Sequence, residues 1–229
     1  VVFDLFGQQR GPGRRSAREP HPGWPMPTEA VRLPDGARVR LRPVRARDGG
    51  EWRRQRLADE PKLRPVEPTV PGGWAASHTA SAWWSYFLSL RRLAFAGELI
   101  PLAVEVDGRF LGQLTIGSIQ RGTVCEAWLG YWVFSPATGR GVATAATALG
   151  VDLAFGAAGL HRLTATFLPE NPASGRVLTG NGFRVEGLLR RNIHIDGVWR
   201  DHYLAGLNRE DFAVPAVERL RRAGRLRRP

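Results

Sequence analysis

Apolar and polar positions begin to alternate regularly after residue 31. Over residues 37–41, Val39 and Leu41 alternate with Arg38 and Arg40, the period-two signature of a half-buried strand. Asp48 is placed to cap a helix running to about Glu60, and a proline-rich stretch over 61–71 then breaks the chain. Residues 74–96 predict a helix, with Trp83, Trp84, Phe87, Leu88 and Leu90 supplying its apolar surface.

Strand patterns follow. Segments 102–106 and 110–116 flank Asp107-Gly108, a dipeptide suited to a tight hairpin because glycine accepts positive φ. Residues 123–134 form a longer β segment, 142–158 an alanine- and leucine-rich helix, 162–167 a strand and 173–181 a short helix. Residues 183–195 and 198–207 predict a hairpin around Asp196-Gly197, and 209–222 a last helix interrupted at Pro215. No internal repeat is visible. This order predicts an α+β, mixed α/β domain over residues 31–212, with a disordered extension over 1–30 and a basic tail over 213–229. The sole methionine, Met26, stands just ahead of the first strand-like segment, and translation is expected to start there.

Composition narrows the class. At 229 residues, with 43% hydrophobic and 24% charged, the chain can bury a sizeable core, and no apolar run reaches membrane-spanning length. The single cysteine, Cys125, excludes an internal disulfide framework, and a cytoplasmic location is the default expectation. His194 and His202 share the last hairpin but fall out of direct opposition, so no metal site is expected. The net charge of +12 is almost all arginine, since Lys62 is the only lysine. Arg10, Arg14, Arg15 and Arg18 cluster near the start, and Arg219, Arg221, Arg222, Arg225, Arg227 and Arg228 near the end. A solvated basic tail is the plain reading; an RNA-binding arm is the alternative.

The most informative segment runs from Tyr131 through Trp132 and Val133 to Thr144. A strand ends, a loop carries Thr138, Gly139, Arg140 and Gly141, and a helix begins with Val142, Ala143 and Thr144. Unpaired N–H groups and a partial positive charge make such a helix start an anion site, and glycines let the backbone close around it. The loop resembles the acetyl-CoA pyrophosphate loop, Q/R-x-x-G-x-G/A, of the GNAT superfamily of N-acetyltransferases. Thr138, Gly141 and Ala143 occupy its key positions, with Thr138 replacing the usual Gln or Arg. Asn171-Pro-Ala-Ser174 followed by Asn181-Gly182-Phe183 resembles the family's N-x-x-S/A…G-F signature, and residues 190–204 resemble the closing hairpin of the RimJ/RimL type.

The resemblance implies a GNAT fold with a twisted, mostly antiparallel sheet of about seven strands, and acetyl-CoA as cosubstrate without a metal. It further implies pantetheine held along Tyr131, Trp132 and Val133, and direct attack by an amine. Glu126, on the strand feeding the loop and on the face of Trp128, Gly130 and Trp132, is the candidate base; an ion pair with an arginine is the alternative. By resemblance Ser174 is the acid, since Leu178 stands where many members carry a tyrosine, and Asn171 would bind the pantetheine or orient the site. Helix capping is the alternative role for both residues. The implied acceptor is a protein N-terminus, such as that of a ribosomal protein, and the expected state is monomer or homodimer. Acetylation of a small amine and a non-catalytic RNA-associated role stay open as alternatives.

Overall fold

A computed structural model describes Trp24 and residues 26–227. The expected start at Met26 concerns residues mostly outside that range. Within it, Trp24 is buried edge-on against Phe95 with ring centroids 5.0 Å apart, and Thr28 exchanges hydrogen bonds with Leu41. The end of the expected disordered extension therefore packs on the domain.

Eight strands form one sheet among the described residues: β1 (Val31–Arg32), β2 (Arg38–Pro43), β3 (Leu99–Val106), β4 (Arg109–Gly117), β5 (Glu126–Val133), β6 (Arg162–Phe167), β7 (Arg184–Ile195) and β8 (Val198–Asn208). Their order is β1-β2-β3-β4-β5-β6-β8-β7, and only the β5–β6 pair is parallel. The count exceeds the expected seven because the two-residue β1 adds an edge. Both predicted hairpins form, with Asp107-Gly108 and Asp196-Gly197 all at positive φ, as a type I′ turn requires.

Six α-helices among the described residues cover the sheet: α1 (Gly49–Ala58), α2 (Glu60–Leu63), α3 (Ala80–Phe95), α4 (Val142–Phe155), α5 (Pro172–Thr179) and α6 (Ala216–Arg222). On one face α4 lies against β4 and β5. Gly150 brings it so close that an added Cβ would meet Leu114 at 3.0 Å. Its other side is covered by α6, so α4 is apolar nearly all round, as a helix buried on both sides must be. Leu220 and Leu226 are buried there, and Asp152 of α4 accepts from the N–H groups of Ala216 and Val217 at 2.6 and 3.0 Å. Residues 213–227 are thus not the solvated tail the charge count suggested: the apolar spacing within 216–226 docks them. Pro215 starts α6 rather than interrupting it, and Arg219 packs over the Phe212 ring at 3.7 Å.

The opposite face holds α1 and α3 around an aromatic cluster of Trp52, Trp74, Trp83, Tyr86, Phe87 and Trp132. The predicted helix over 74–96 is shortened to α3, because Thr79 caps it by accepting from the Ala82 N–H, and Trp74 and His78 serve a different contact. Trp83, Phe87 and Leu90 are buried, whereas Trp84 and Leu88 are exposed. Asp48 precedes α1 but does not cap it with its side chain. Its carboxylate instead accepts from the buried Arg42 guanidinium and the Arg45 N–H.

Arg56 of α1 is fully buried, stacked 4.8 Å from the Trp74 ring and 5.3 Å from Trp132. Its Nε donates to His78 Nε2 at 2.9 Å, and its two terminal nitrogens bind the Glu67 carboxylate. His78 Nδ1 then donates to the Trp74 carbonyl. An uncompensated buried guanidinium is prohibitively costly, so this chain is the condition for folding the aromatic face.

Leu220→Ala is expected to cost about 2–5 kcal/mol in urea unfolding; a neutral result would show that α6 is not docked. Burial, reinforced by Arg56, pushes the His78 pKa down to about 4. Between about 6.5 and that value the unfolded chain binds a proton the folded chain does not, so stability falls on acidification through this window. Urea unfolding at a series of pH values should show a shallower slope there for His78→Gln than for the parent.

Candidate active site

The parallel pairing of β5 and β6 lasts only three residues: Glu126 with Arg162, Ala127 with Leu163 and Trp128 with Thr164. Both strands continue, to Val133 and Phe167, but they diverge. Main-chain groups along one edge of residues 129–133 therefore face a cleft of about 650 Å³ rather than a neighbouring strand. At the point of divergence the Trp128 ring lies over Gly117 and Gly130, where an added Cβ would come within 2.3 and 2.9 Å of it. Its Nε1 donates to Ser118 Oγ at 3.0 Å, so it is a fixed wall of the cleft.

On the α4 face the loop after β5 is anchored from a distance. Buried Asp59, at the end of α1, accepts from the Ser135 N–H at 2.7 Å and from the Ser135 hydroxyl at 2.6 Å. Gly139 and Gly141 take φ of 76° and 89°, turning the chain so that α4 starts without a side-chain cap. Its first-turn N–H groups have no acceptor within the helix. Thr138, Gly139, Gly141, Val142, Ala143 and Thr144 all line the cleft. The Thr138 hydroxyl closes the loop on the Ser135 carbonyl at 2.7 Å. Arg140 of this loop does not line the cleft: it pairs with Asp35 at 2.6 Å. The cations that do line it are Arg176 and Arg225, the latter with Nη2 3.4 Å from Thr144 Oγ1.

Ser174, Asn171 and Tyr131 converge. Asn171 Oδ1 accepts from the Ser174 N–H at 3.2 Å, capping α5, and the Ser174 and Tyr131 hydroxyls lie 3.2 Å apart. Burial pushes Tyr131 up to about 12, so its hydroxyl keeps its proton. The structure thus places a tyrosine beside the serine from β5, although Leu178 is apolar and buried. Tyr131 lies on the α4 side of β5, Trp132 on the α1–α3 side next to Arg56, and Val133 back on the α4 side.

Glu126 is not brought into this group. It sits at the paired end of β5, 3.5 Å from Arg162 Nε, and is not among the residues lining the cleft. The arginine ion pair is the arrangement the geometry realises, because parallel registry sets Arg162 directly beside it. Across the sheet the cleft is lined by Leu63, Val66, Glu67, Tyr86, Gln113 and Thr115. Glu67 is the one carboxylate among the described residues that line it. Nothing in the sequence around Glu67 singled it out; its proline-flanked position read only as a break. No group of residues with metal-ligand spacing occurs among the described residues, and His202 opposes Leu189 rather than His194.

Comparison with known proteins agrees with this geometry. The Acetyltransferase (GNAT) domain family matches residues 38–184, more than half of the chain. A probable N-acetyltransferase of Bacillus subtilis, YjcK, is 42% identical over 106 residues, 46% of this chain and 59% of that protein. The [ribosomal protein uS5]-alanine N-acetyltransferase of Escherichia coli is 28% identical over 156 residues, 66% of this chain and 77% of that protein. Among solved structures, Mycobacterium smegmatis RimJ in complex with CoA-disulfide superposes with a TM-score of 0.88 at 48% identity, covering 90% of this chain and 98% of that one. The chain belongs to the GNAT acetyltransferase family, whose members draw their acetyl group from acetyl-CoA.

Proposed function

We propose that the protein is a cytoplasmic N-acetyltransferase of the RimJ/RimL type that transfers acetyl from acetyl-CoA to the α-amine of a protein N-terminus, with ribosomal proteins as the acceptor class. The observation that carries this reading is a single cleft passing through the sheet where β5 and β6 part. Its α4 side offers a phosphate-binding loop, and its α1–α3 side is closed by an aromatic wall. The name of the Escherichia coli relative, a [ribosomal protein uS5]-alanine N-acetyltransferase, supports the acceptor class.

Loop amides from Thr138 to Thr144, with Arg225 beside them, would hold the diphosphate of coenzyme A, and the open edge of β5 would bond the pantetheine amides. The thioester then lies near Ser174. The neutral amine attacks the carbonyl carbon, a C–N bond forms, the C–S bond breaks, and the amine's surplus proton passes to solvent. Ser174 donates a hydrogen bond to the departing sulfur and is supported by the Tyr131 hydroxyl. An α-amine titrates near 7.7–8.0, so about a tenth of it is neutral at pH 7 and no strong base is demanded. Glu126 has no step in this scheme.

The direct test is incubation with acetyl-CoA and short peptides beginning with Ala or Ser, read by mass spectrometry. Absence of acetylated product on every peptide would overturn the acceptor assignment. Ser174→Ala should lower kcat by about 10²-fold with coenzyme A affinity retained, whereas Glu126→Gln should leave kcat close to the parent value. Arg225→Ala should weaken coenzyme A binding in calorimetry by about tenfold, with little change in kcat at saturation.

A further inference from the structure

The transfer scheme above sends the proton of the attacking amine to solvent, and one buried titratable side chain at the cleft takes no part in it. His202 of β8 is 3% exposed and lines the cleft. Its place follows from register, because partners across a sheet share a face and so do residues two apart along a strand. Trp132 shares a face with Trp128, Trp128 pairs with Thr164, Thr166 pairs with Leu204, and Leu204 shares a face with His202. His202 is therefore on the α1–α3 side of the sheet, across from Tyr131 and Ser174. Counting along the same strands gives its depth. Tyr131 is three residues beyond Trp128 and Phe167 three beyond Thr164, and Phe167 pairs with Tyr203, the residue next to His202. The histidine and the pair of hydroxyls thus stand at about the same level of the cleft, on its two sides.

The ring has a defined polarity. Nδ1 lies 3.2 Å from the Arg200 carbonyl, an oxygen that only accepts, so Nδ1 carries the hydrogen and Nε2 presents its lone pair. Nε2 has no hydrogen-bond partner among the described residues. Its cross-strand neighbour Leu189 and its same-face neighbour Leu204 are apolar. Burial and the Arg200 charge push the His202 pKa below the usual histidine value of 6.5, against the opposing pull of the Arg200 carbonyl, Glu170 and Asp201. Both carboxylates are engaged away from the ring: Glu170 pairs with Arg200 at 2.8 Å, and Asp201 accepts from the Arg191 N–H at 2.7 Å. The imidazole is therefore neutral at pH 7. A buried ring nitrogen without a partner is costly unless something else supplies one, and His202 borders the space an acceptor amine must enter.

We propose that His202 is the catalytic proton acceptor, its Nε2 taking the proton released when the α-amine attacks the thioester. As the C–N bond forms, an N–H proton passes to Nε2. The C–S bond breaks and the sulfur leaves as a thiolate that accepts the Ser174 hydrogen bond. The imidazolium then returns its proton to solvent. The inference rests on the acetyl-transfer reading, and the test separates the two.

The rate of acetylation of a short peptide beginning with Ala is measured over a pH series, with acetyl-CoA and peptide both saturating. Protonation of the α-amine itself gives one inflection, near 7.7–8.0. A protonated imidazole accepts nothing, so the parent kcat should fall more steeply once the pH drops below 6.5 and through the lowered value of His202. His202→Gln, which keeps an N–H for the Arg200 carbonyl, should lower kcat by about 10²-fold and lose that steepening. Coenzyme A uptake by the variant, read by calorimetry, should be kept and reports that it is folded. A variant that takes up coenzyme A and keeps either the parent kcat or the steepening overturns the assignment of His202 while leaving acetyl transfer intact. Should His202→Gln fail to fold, the parent profile decides: steepening below 6.5 supports the assignment, and the amine inflection alone overturns it. A parent protein that acetylates no peptide beginning with Ala or Ser overturns the acceptor reading itself, and the role of His202 with it.

Discussion

The separation of two parallel strands governs this molecule. β5 and β6 share three residue pairs and then diverge, and a central strand left with an unpaired edge must find other partners for its main-chain groups. Everything around the gap is arranged to keep it open. Trp128 wedges over two glycines at the point of divergence, Asp59 pins the loop that follows β5, and α5 packs closely on Phe167 of β6 at Gly175, with the Ser174 hydroxyl 3.2 Å from that of Tyr131. The cleft at the gap is lined by residues from both faces of the sheet.

The arginine content divides into distinct uses. Arg42 and Arg56 are buried and organise carboxylates: Arg42 draws together Asp48 and Glu105, tying β2 and β3 to the start of α1, and Arg56 fixes Glu67. Arg219 stacks on Phe212 and donates to the Asn181 carbonyl, holding α6 against the turn before β7. Arg225 reaches the cleft. Bidentate geometry and a flat, weakly hydrated cation make arginine suited to these partly dry sites, where lysine would be penalised. Much of the positive charge at the C-terminal end is therefore engaged in packing and in the site rather than displayed as a free arm.

Local order was legible where a pattern is short-range. Period-two alternation marked β2, the Asp-Gly turns marked both hairpins, and the apolar run over 142–158 marked α4, because each depends on residues adjacent in sequence. The glycine loop and the Asn171–Ser174 segment were legible for the same reason, since a helix start and its cap are built within a few residues. Two expectations failed where a segment meets residues distant in sequence. Trp74 and His78 were read into a helix although they turn aside to meet Arg56, and the C-terminal arginines were read as solvated although alternate apolar residues dock them on α4.

The sequence by itself determined the element order, the glycine loop before α4 and the family, because these are written in neighbouring residues. Only the tertiary structure decided which distant side chains share the cleft. It removed Glu126 to an ion pair with Arg162 and sent Arg140 to Asp35. It brought Tyr131 to Ser174, Arg225 to Thr144 and Glu67 to Arg56 at the cleft. The physical reason is that a strand alternates its faces with every residue while the sheet fixes what lies opposite, so a carboxylate's role depends on the charges packed beside it, which sequence separation does not encode.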